Sequence, residues 1–588
     1  MGNFHTPPLL SFLKYETLPA LRQTACNTDS AIPPKFIKRG ILPFLQNCVT
    51  IKTDFAQTTG EKETLMKLSY KRTVLVGFAF FLICLFWQAY DNTIPLILTN
   101  KFGMSQTLSG AIMALDNVLA LFLLPFFGAL SDKCASRFGK RTPFIAVGTL
   151  AAAVLFVCLS FVDSAQMTRL EDVTLDRYES SLAVIYDSNP TISLPEETAD
   201  GMSVGEAIHH VFSSGQKKPL QEIYPNRSEF LAIKMYREDG TLTEEYENYV
   251  KPARNAYAWQ QTADNPNTLI FFILLLLCTL VAMGTFRSPA VALMPDVTPK
   301  PLRSKANAII NLMGTFGGIT VLVLGMIFKT GSAKNIYMNY TPFFIVVSIL
   351  MLLSLAIFLM TVREPKWSAE AEALSAPAET QELSDSLQSG RLSAEERRSL
   401  LFILASVALW YMGYNAVTSK YSVYALNVLE KDYNTTLLIA QAAAIVSYLP
   451  IGFLSTKIGR KKAILGGVAI LTVSFGAAAF MRHDSPTVLM NLLFALAGIG
   501  WATINVNSYP MVVELAKGGN VGKYTGYYYT ASMAAQTITP ILSGFFMDIH
   551  MTSLFIYAAF FVLLAFFTML CVRHGDTKPI HPGIPEAE

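Results

Sequence analysis

The sequence predicts an all-α membrane protein: twelve transmembrane helices in two six-helix bundles, with a polar insert between helices three and four. Three observations lead there. Of 588 residues, 52% are apolar and only 15% charged, against roughly 25% charged in soluble domains. Many uninterrupted apolar runs reach the ~20 residues needed to cross ~30 Å of hydrocarbon. The two halves of the chain also repeat a loop motif.

Residues 1–65 contain Pro7, Pro8, Pro33 and Pro34, no helical period and no signal-peptide pattern. We read them as an N-terminal extension, either disordered or upstream of the natural start, because Met66-Lys67-Leu68-Ser69-Tyr70-Lys71-Arg72 reads like an N-terminus leading into the first apolar run. The predicted spans are 73–98, 108–130, 142–162, 268–292, 305–328 and 342–362, then 399–424, 436–455, 463–481, 487–508, 523–546 and 552–572. The N-terminal bundle thus covers 66–362 and the C-terminal bundle 399–575. Residues 363–398 form a Glu-, Ser- and Ala-rich linker, and 576–588 a tail.

Lys/Arg bias orients the chain. Lys133, Arg137, Lys140 and Arg141 follow span two; Lys300, Arg303 and Lys305 follow span four; Lys457, Arg460, Lys461 and Lys462 follow span eight. All fall on one side if the chain starts inside, so both termini are expected in the cytoplasm and the linker with them. Residues 163–267 then lie outside. This insert holds 18 acidic and 9 basic residues and no cysteine, and stretches 203–212 and 228–237 read as helical. The seven cysteines show no pairing pattern. Neither metal-ligand spacing, nor a phosphate-binding loop, nor a nucleophile motif is present, so no cofactor, metal, ATP-driven step or enzymatic activity is expected.

After span two comes Gly128-Ala129-Leu130-Ser131-Asp132-Lys133, then Phe138-Gly139-Lys140-Arg141. After span eight comes Gly452-Phe453-Leu454-Ser455-Thr456-Lys457, then Ile458-Gly459-Arg460-Lys461. The opening helices match too: Trp87, Gln88, Tyr90, Asp91 and Asn92 against Trp410, Tyr411, Tyr414 and Asn415. The Gly-x-x-x-Asp-Lys loop with its Gly-Lys-Arg group resembles that of the major facilitator superfamily. The longer run Asp132 to Ile145 resembles the loop of sucrose transporters and the glycoside–pentoside–hexuronide cation symporters. Ser288-Pro289-Ala290-Val291-Ala292-Leu293-Met294-Pro295-Asp296 is similar to their fourth-helix signature, although Val291 stands where plant members carry Arg, and Arg287 precedes the proline instead. The resemblance covers residues 66–575 apart from the insert. It implies a major facilitator fold and secondary active uptake of a sugar or glycoside, coupled to H⁺ or Na⁺, by a monomer in the lipid bilayer of the plasma membrane, with no nucleic-acid partner. Two other readings stay open: a proton-antiporting exporter of drugs or other small molecules, and a non-transporting sensor that binds ligand through the insert.

Charge inside lipid singles out candidate residues. An Asp at a helix centre costs ~2.5–3.5 kcal/mol on insertion scales. Asp91 and Asp116 each lie about 10–12 Å below the outer end of their spans at ~1.5 Å per residue, and are the expected cation-coupling pair. Sugar rings need flat apolar faces, and their hydroxyls need amides. Trp87, Trp410 and Trp501 are three of only five tryptophans; with Gln88, Asn92, Asn117, Tyr414, Asn415 and Asn505 they form the expected substrate site. The resemblance carries an inner-gate role to Asp132, with Lys140 and Arg141 as partners; Lys457 and Arg460 are their counterparts in the second copy. Arg287, in the inner third of span four, joins this gating set, Asp132 being one candidate partner. Glu514 and Asp548 sit at span ends and receive no role.

Overall fold

In the computed structural model, the described residues are 68–193, 217–238, 242–299, 302–332, 335–385, 393–515 and 521–575. The N-terminal extension, the helical reading of 203–212 and the C-terminal tail lie outside them.

The N-terminal half opens with α1 (Tyr70–Leu96), which continues through a π turn at Ile97–Lys101. Two long helices follow, α2 (Gln106–Asp132) and α3 (Thr142–Arg169). The insert holds α4 (Tyr178–Asp187), β1 (Thr191–Ser193), β2 (Lys217–Pro219), α5 (Leu220–Ile223), α6 (Arg227–Leu231) and α7 (Lys251–Asp264). The half then closes with α8 (Asn267–Asp296), α9 (Arg303–Phe328) and α10 (Thr341–Thr361). Within the linker, α11 runs from Glu364 to Asp385. The C-terminal half comprises α12 (Ala394–Tyr424, extended by a π turn at Ala425–Leu429), α13 (Tyr433–Ile458), α14 (Arg460–Ala478), α15 (Thr487–Val513), α16 (Val521–Ile549) and α17 (Ser553–Leu570).

Among the described residues, ten helices are long and apolar enough to cross a membrane. Those ten leave out α13 and α16, which the sequence reads as spans eight and eleven. Both still pack into the bundle as full-length helices, α13 on α15 and α16 on α2 and α12. Phe122, Phe126, Val147, Phe161, Ile327, Met360 and Phe567 are among the large side chains left exposed on the spans. Such a surface is unfavourable in water and matches a hydrocarbon solvent.

Each half has its own core. Phe86, Phe156, Phe272 and Phe344 anchor the N-terminal one; Trp410, Tyr421, Phe494 and Phe555 anchor the C-terminal one. A third core belongs to the insert, built from Leu170, Leu182, Ile185, Leu220, Phe230 and Val250. There β1 and β2 pair antiparallel, with Ile192 opposite Lys218. The expected helix over 228–237 is a shorter one: α6 ends at Leu231, and Tyr236 instead forms a bridge with Leu242.

Three helix pairs join the halves: α1 with α12, α2 with α16, and α9 with α13. Without a hydrophobic drive between helices in lipid, close approach relies on small residues. At Gly110 of α2, an added Cβ would lie 1.9 Å from the carbonyl oxygen of Pro540 on α16; at Gly544 of α16, it would lie 2.3 Å from that of Gln106. A methyl group at either place must separate the helices. We expect Gly110→Ala to lower stability by about 1–3 kcal/mol, the usual cost of overpacking, read as a lower unfolding midpoint of the purified protein in detergent.

Candidate transport site

Asp91 and Asp116 hold equivalent positions. α1 with its π turn ends at Lys101 and α2 begins at Gln106. Each carboxylate is therefore ten residues from its helix end, or about 15 Å at ~1.5 Å per residue. This is deeper than the sequence implied, because both helices run beyond the purely apolar stretch.

Arg287 of α8 does not meet Asp132. Its guanidinium carbon lies 5.1 Å from the centre of the Trp87 ring, and the charges acting on it include those of Asp116 and Asp91. The reason is helical register: Arg287 is nine residues short of Asp296 at the end of α8. Asp132 sits at the end of α2 and is taken by Arg141. Cation–π contact and two nearby carboxylates are what a guanidinium in a low-dielectric interior requires. The Asp116 carboxylate accepts from the Asn117 backbone N–H at 2.6 Å and from Asn117 Nδ2 at 2.7 Å.

Amides cross the midline. Gln441 of α13 donates to Gln88 Oε1 at 2.7 Å, and Gln88 donates to Asn92 Oδ1 at 3.3 Å. Trp87 Nε1, Asn92 Nδ2, Asn415 Nδ2 and Gln441 Oε1 are buried polar atoms with no protein partner. Both halves thus present hydrogen-bonding groups that protein does not satisfy, which buried polar atoms rarely tolerate without a function. On the C-terminal side, Tyr414 stacks on Trp501 with ring centres 3.7 Å apart and planes within 4°, and Tyr411 meets the same indole edge-on at 5.2 Å. Asn505 bonds the Tyr448 hydroxyl. Trp410 differs from the other tryptophans: it is fully buried in the C-terminal core, since its place on α12 turns it toward its own bundle.

The loop cations at the end opposite the insert bind acids within their own half. Arg141 contacts Asp132 and donates from Nε to Asp296 at 2.8 Å; Lys140 reaches Asp296 at 3.3 Å. Glu364, just after α10, accepts from the backbone N–H groups of Arg141 and Thr142 at 2.9 and 2.8 Å. It thereby caps α3, whose N-terminus favours an anion. Gly139, at φ 111°, lets the loop pass, since a Cβ there would lie 2.3 Å from that carboxyl. In the second copy Gly459 has φ 91°, and Arg460 pairs with Glu514 at the end of α15. Lys457 is exposed.

Several polar residues in the bundle were not singled out from sequence. Lys101 and Asp163 form a fully buried ion pair at 2.6 Å, with Nζ also donating to the Met338 carbonyl at 2.8 Å. Lys420, fully buried on α12, donates to the Gln106 carbonyl at 2.7 Å. Asp548, given no role from sequence, accepts from the Gln106 and Thr107 backbone N–H groups at 2.5 and 2.7 Å. Gln441 went unnoticed as well. The available signal was charge or amide at matched span ends, and apolar run lengths pass over it.

The comparisons agree with this architecture. The family described as Major Facilitator Superfamily matches residues 256–447 and 431–588, and that described as MFS/sugar transport protein matches 75–169. The chain therefore belongs to the Major Facilitator Superfamily. Among curated proteins it resembles Sucrose transport protein SUC3 of Arabidopsis thaliana, at 36% identity over 59 residues, covering 10% of each chain. It also resembles Dipeptide and tripeptide permease A of Citrobacter koseri, at 26% identity over 169 residues, covering 27% of this chain and 34% of the permease. The chain thus matches about a tenth and a third of the lengths of these relatives. Among solved structures, the inward open conformation of the xylose transporter XylE from E. coli aligns with TM-score 0.50 and 18% identity, over 86% of this chain and 97% of that one. That likeness shows a shared fold. Membership of this family makes the protein a transporter of the membrane.

The Lys101–Asp163 pair yields a stability prediction. Removing one partner strands the other as an uncompensated buried charge, at a cost of about 3–5 kcal/mol. Asp163→Asn should therefore sharply lower the unfolding midpoint in detergent. The double variant Lys101→Met with Asp163→Leu should recover most of the loss.

Proposed function

We propose that the chain is a twelve-span secondary transporter, with α13 and α16 as spans eight and eleven. It takes up a sugar or glycoside with H⁺ or another cation by alternating access. In this reading it works as a monomer in the plasma membrane, with both termini in the cytoplasm and the insert outside.

The observation that carries the reading is the cluster of Asp91, Asp116, Arg287 and Trp87. Two carboxylates at equal depth on adjacent helices act by their charge on one guanidinium, which lies over an indole ring. A proton or Na⁺ arriving at either carboxylate changes the charge that Arg287 sees. Trp87 and Gln88 stand on the same helix as Asp91, so that change reaches the substrate groups within one or two turns. The orphaned amide and indole N–H groups and the Gln441 carbonyl suit a ligand with adjacent hydroxyls, which both donate and accept. The Tyr414–Trp501 stack offers an aromatic surface for ring carbons. Asp132, Lys140, Arg141, Lys457 and Arg460 serve the inner gate. Arg287 belongs to the coupling cluster.

Contacts between the halves support the inward-facing member of the cycle. At the insert end, Asp548 and Lys420 of the C-terminal half hold the start of α2. At the opposite end, among the described residues, Arg141 pairs with Asp296 and Arg460 with Glu514, each an acid of the same half. An arrangement joined at the outer end by such contacts is the one expected of an inward-facing transporter.

The test is uptake by purified protein in liposomes from a panel of radiolabelled mono- and disaccharides, with di- and tripeptides alongside, with and without an inward proton or sodium gradient. Gradient-driven accumulation of a sugar supports the proposal. Accumulation of peptides alone, or no flux under any gradient, overturns it. We further expect Asp91→Asn to lose concentrative uptake by at least tenfold, equivalent to about 1.4 kcal/mol, while retaining substrate counterflow. Undiminished accumulation in that variant would remove Asp91 from coupling.

A further inference from the structure

The insert touches the C-terminal half through a small group of charged residues that neither the fold nor the central site accounts for. Lys251, at the start of α7, donates from Nζ to the carbonyl of Asn427 in the π turn that ends α12. Three residues on lies Glu430, in the left-handed conformation at φ 53°, with one carboxyl oxygen buried and unpartnered. Glu247 of the insert lies beside it and acts on it by its charge. Asn427 Nδ2 also approaches Asn100 Oδ1 at 3.5 Å at the end of α1. The insert is seated firmly on its own half: at Gly103, with φ 67°, a Cβ would lie 2.3 Å from the Trp259 backbone nitrogen. Within the insert, Gln166 of α3 bonds Thr262 of α7 at 3.1 Å. A separation of the two halves at this end therefore carries Lys251 and Glu247 away from Asn427 and Glu430.

We propose that the insert is an outer latch: Lys251 fastens the end of α12 in the inward-facing state, and protonation of Glu430, buried beside Glu247, favours the fastened form. The inference rests on the alternating-access reading. Burial, and then the Glu247 charge, raise the Glu430 carboxyl above its ordinary value, against the opposing pull of Lys251 and His483. Burial also lowers the Lys251 ammonium, against Glu247 and Glu430. The other titratable groups facing Glu430 are Tyr236 and Tyr246 in the insert and its neighbour Lys431. Lys431 is turned to the His483 carbonyl at 2.7 Å. The sign follows by linkage. A carboxyl raised in the fastened form stabilises that form below its ordinary value, and the stabilisation is lost as pH rises through the raised one. Burial disfavours the Lys251 charge in the fastened form, but Nζ donates to the Asn427 carbonyl whether charged or neutral, and that bond is what fastens. An acidic exterior therefore holds the latch closed, and a neutral or alkaline one releases it.

The experiment measures spin-label distances in the full chain in lipid nanodiscs, on a background with native cysteines replaced by serine. One label pair, at Lys234→Cys in the insert and Thr487→Cys at the start of α15, reports the outer end. A second, at Lys133→Cys and Lys462→Cys, reports the inner end. For the outer pair we expect the short-distance population to rise at least threefold from pH 8 to pH 5. Glu430→Gln should hold it short at both pH values, and Lys251→Met should lengthen it at both. Glu247→Gln provides a second conservative probe and should reduce the pH response. If the inner pair moves while the outer distances ignore pH and all three substitutions, the latch is wrong and alternating access stands. If neither pair moves under any condition, both fail.

Discussion

A guanidinium buried among membrane helices has to be compensated where it stands, and much of the protein's interior is arranged around that need at Arg287. In a medium of low dielectric a lone cation is strongly disfavoured. The ring of Trp87 takes one side of it, and the carboxylates of Asp91 and Asp116 supply charge from two neighbouring helices. Three helices of one half are thereby tied to a polar centre rather than to an apolar core alone. The remaining amides of the region, Gln88, Asn92 and Gln441, extend that polar centre across to the other half.

The same logic governs the ends of the spans. Carboxylates there sit on helix N-termini or on loop cations: Glu364 on α3, Asp548 on α2, Asp296 with Arg141, Glu514 with Arg460. The last two are equivalent under the internal repeat. In each half a positive-φ glycine turns the loop, a cation soon follows it, and that cation meets an acid at the end of the fourth helix of its bundle. The repeat written into the loop motif therefore extends to an ion pair whose acidic member lies far along the chain. One half keeps more of it: Asp132 adds a second acid to Arg141, whereas its counterpart is Thr456.

The insert is a different kind of structure. It has a core of its own and a short antiparallel ladder, and the backbone approach at Gly103 seats it on the N-terminal half. Lys251 reaches the other half at the carbonyl of Asn427. A folded body fixed on one side and polar at its far contact can separate and rejoin without exposing a large apolar area, which suits a part of the molecule that must open repeatedly.

How much of this was legible beforehand depended on the distance over which each signal acts. Apolar run length is a local property, so long membrane-crossing helices were legible, ten of them among the described residues, and the loop motif carried the family. The depth of Asp91 and Asp116 was legible approximately, because both helices pass beyond their apolar stretch to Lys101 and from Gln106. Partnership was not legible. Placing Arg287 on Trp87 rather than Asp132, turning Trp410 into its own bundle, and bringing Gln441 to Gln88, Lys101 to Asp163 and Asp548 to α2 all depend on how helices far apart in the chain are rotated and packed. Sequence alone determined which residues are costly to place in lipid; only the tertiary structure decided which of them neutralise one another, because that depends on distances across helices which no local pattern records.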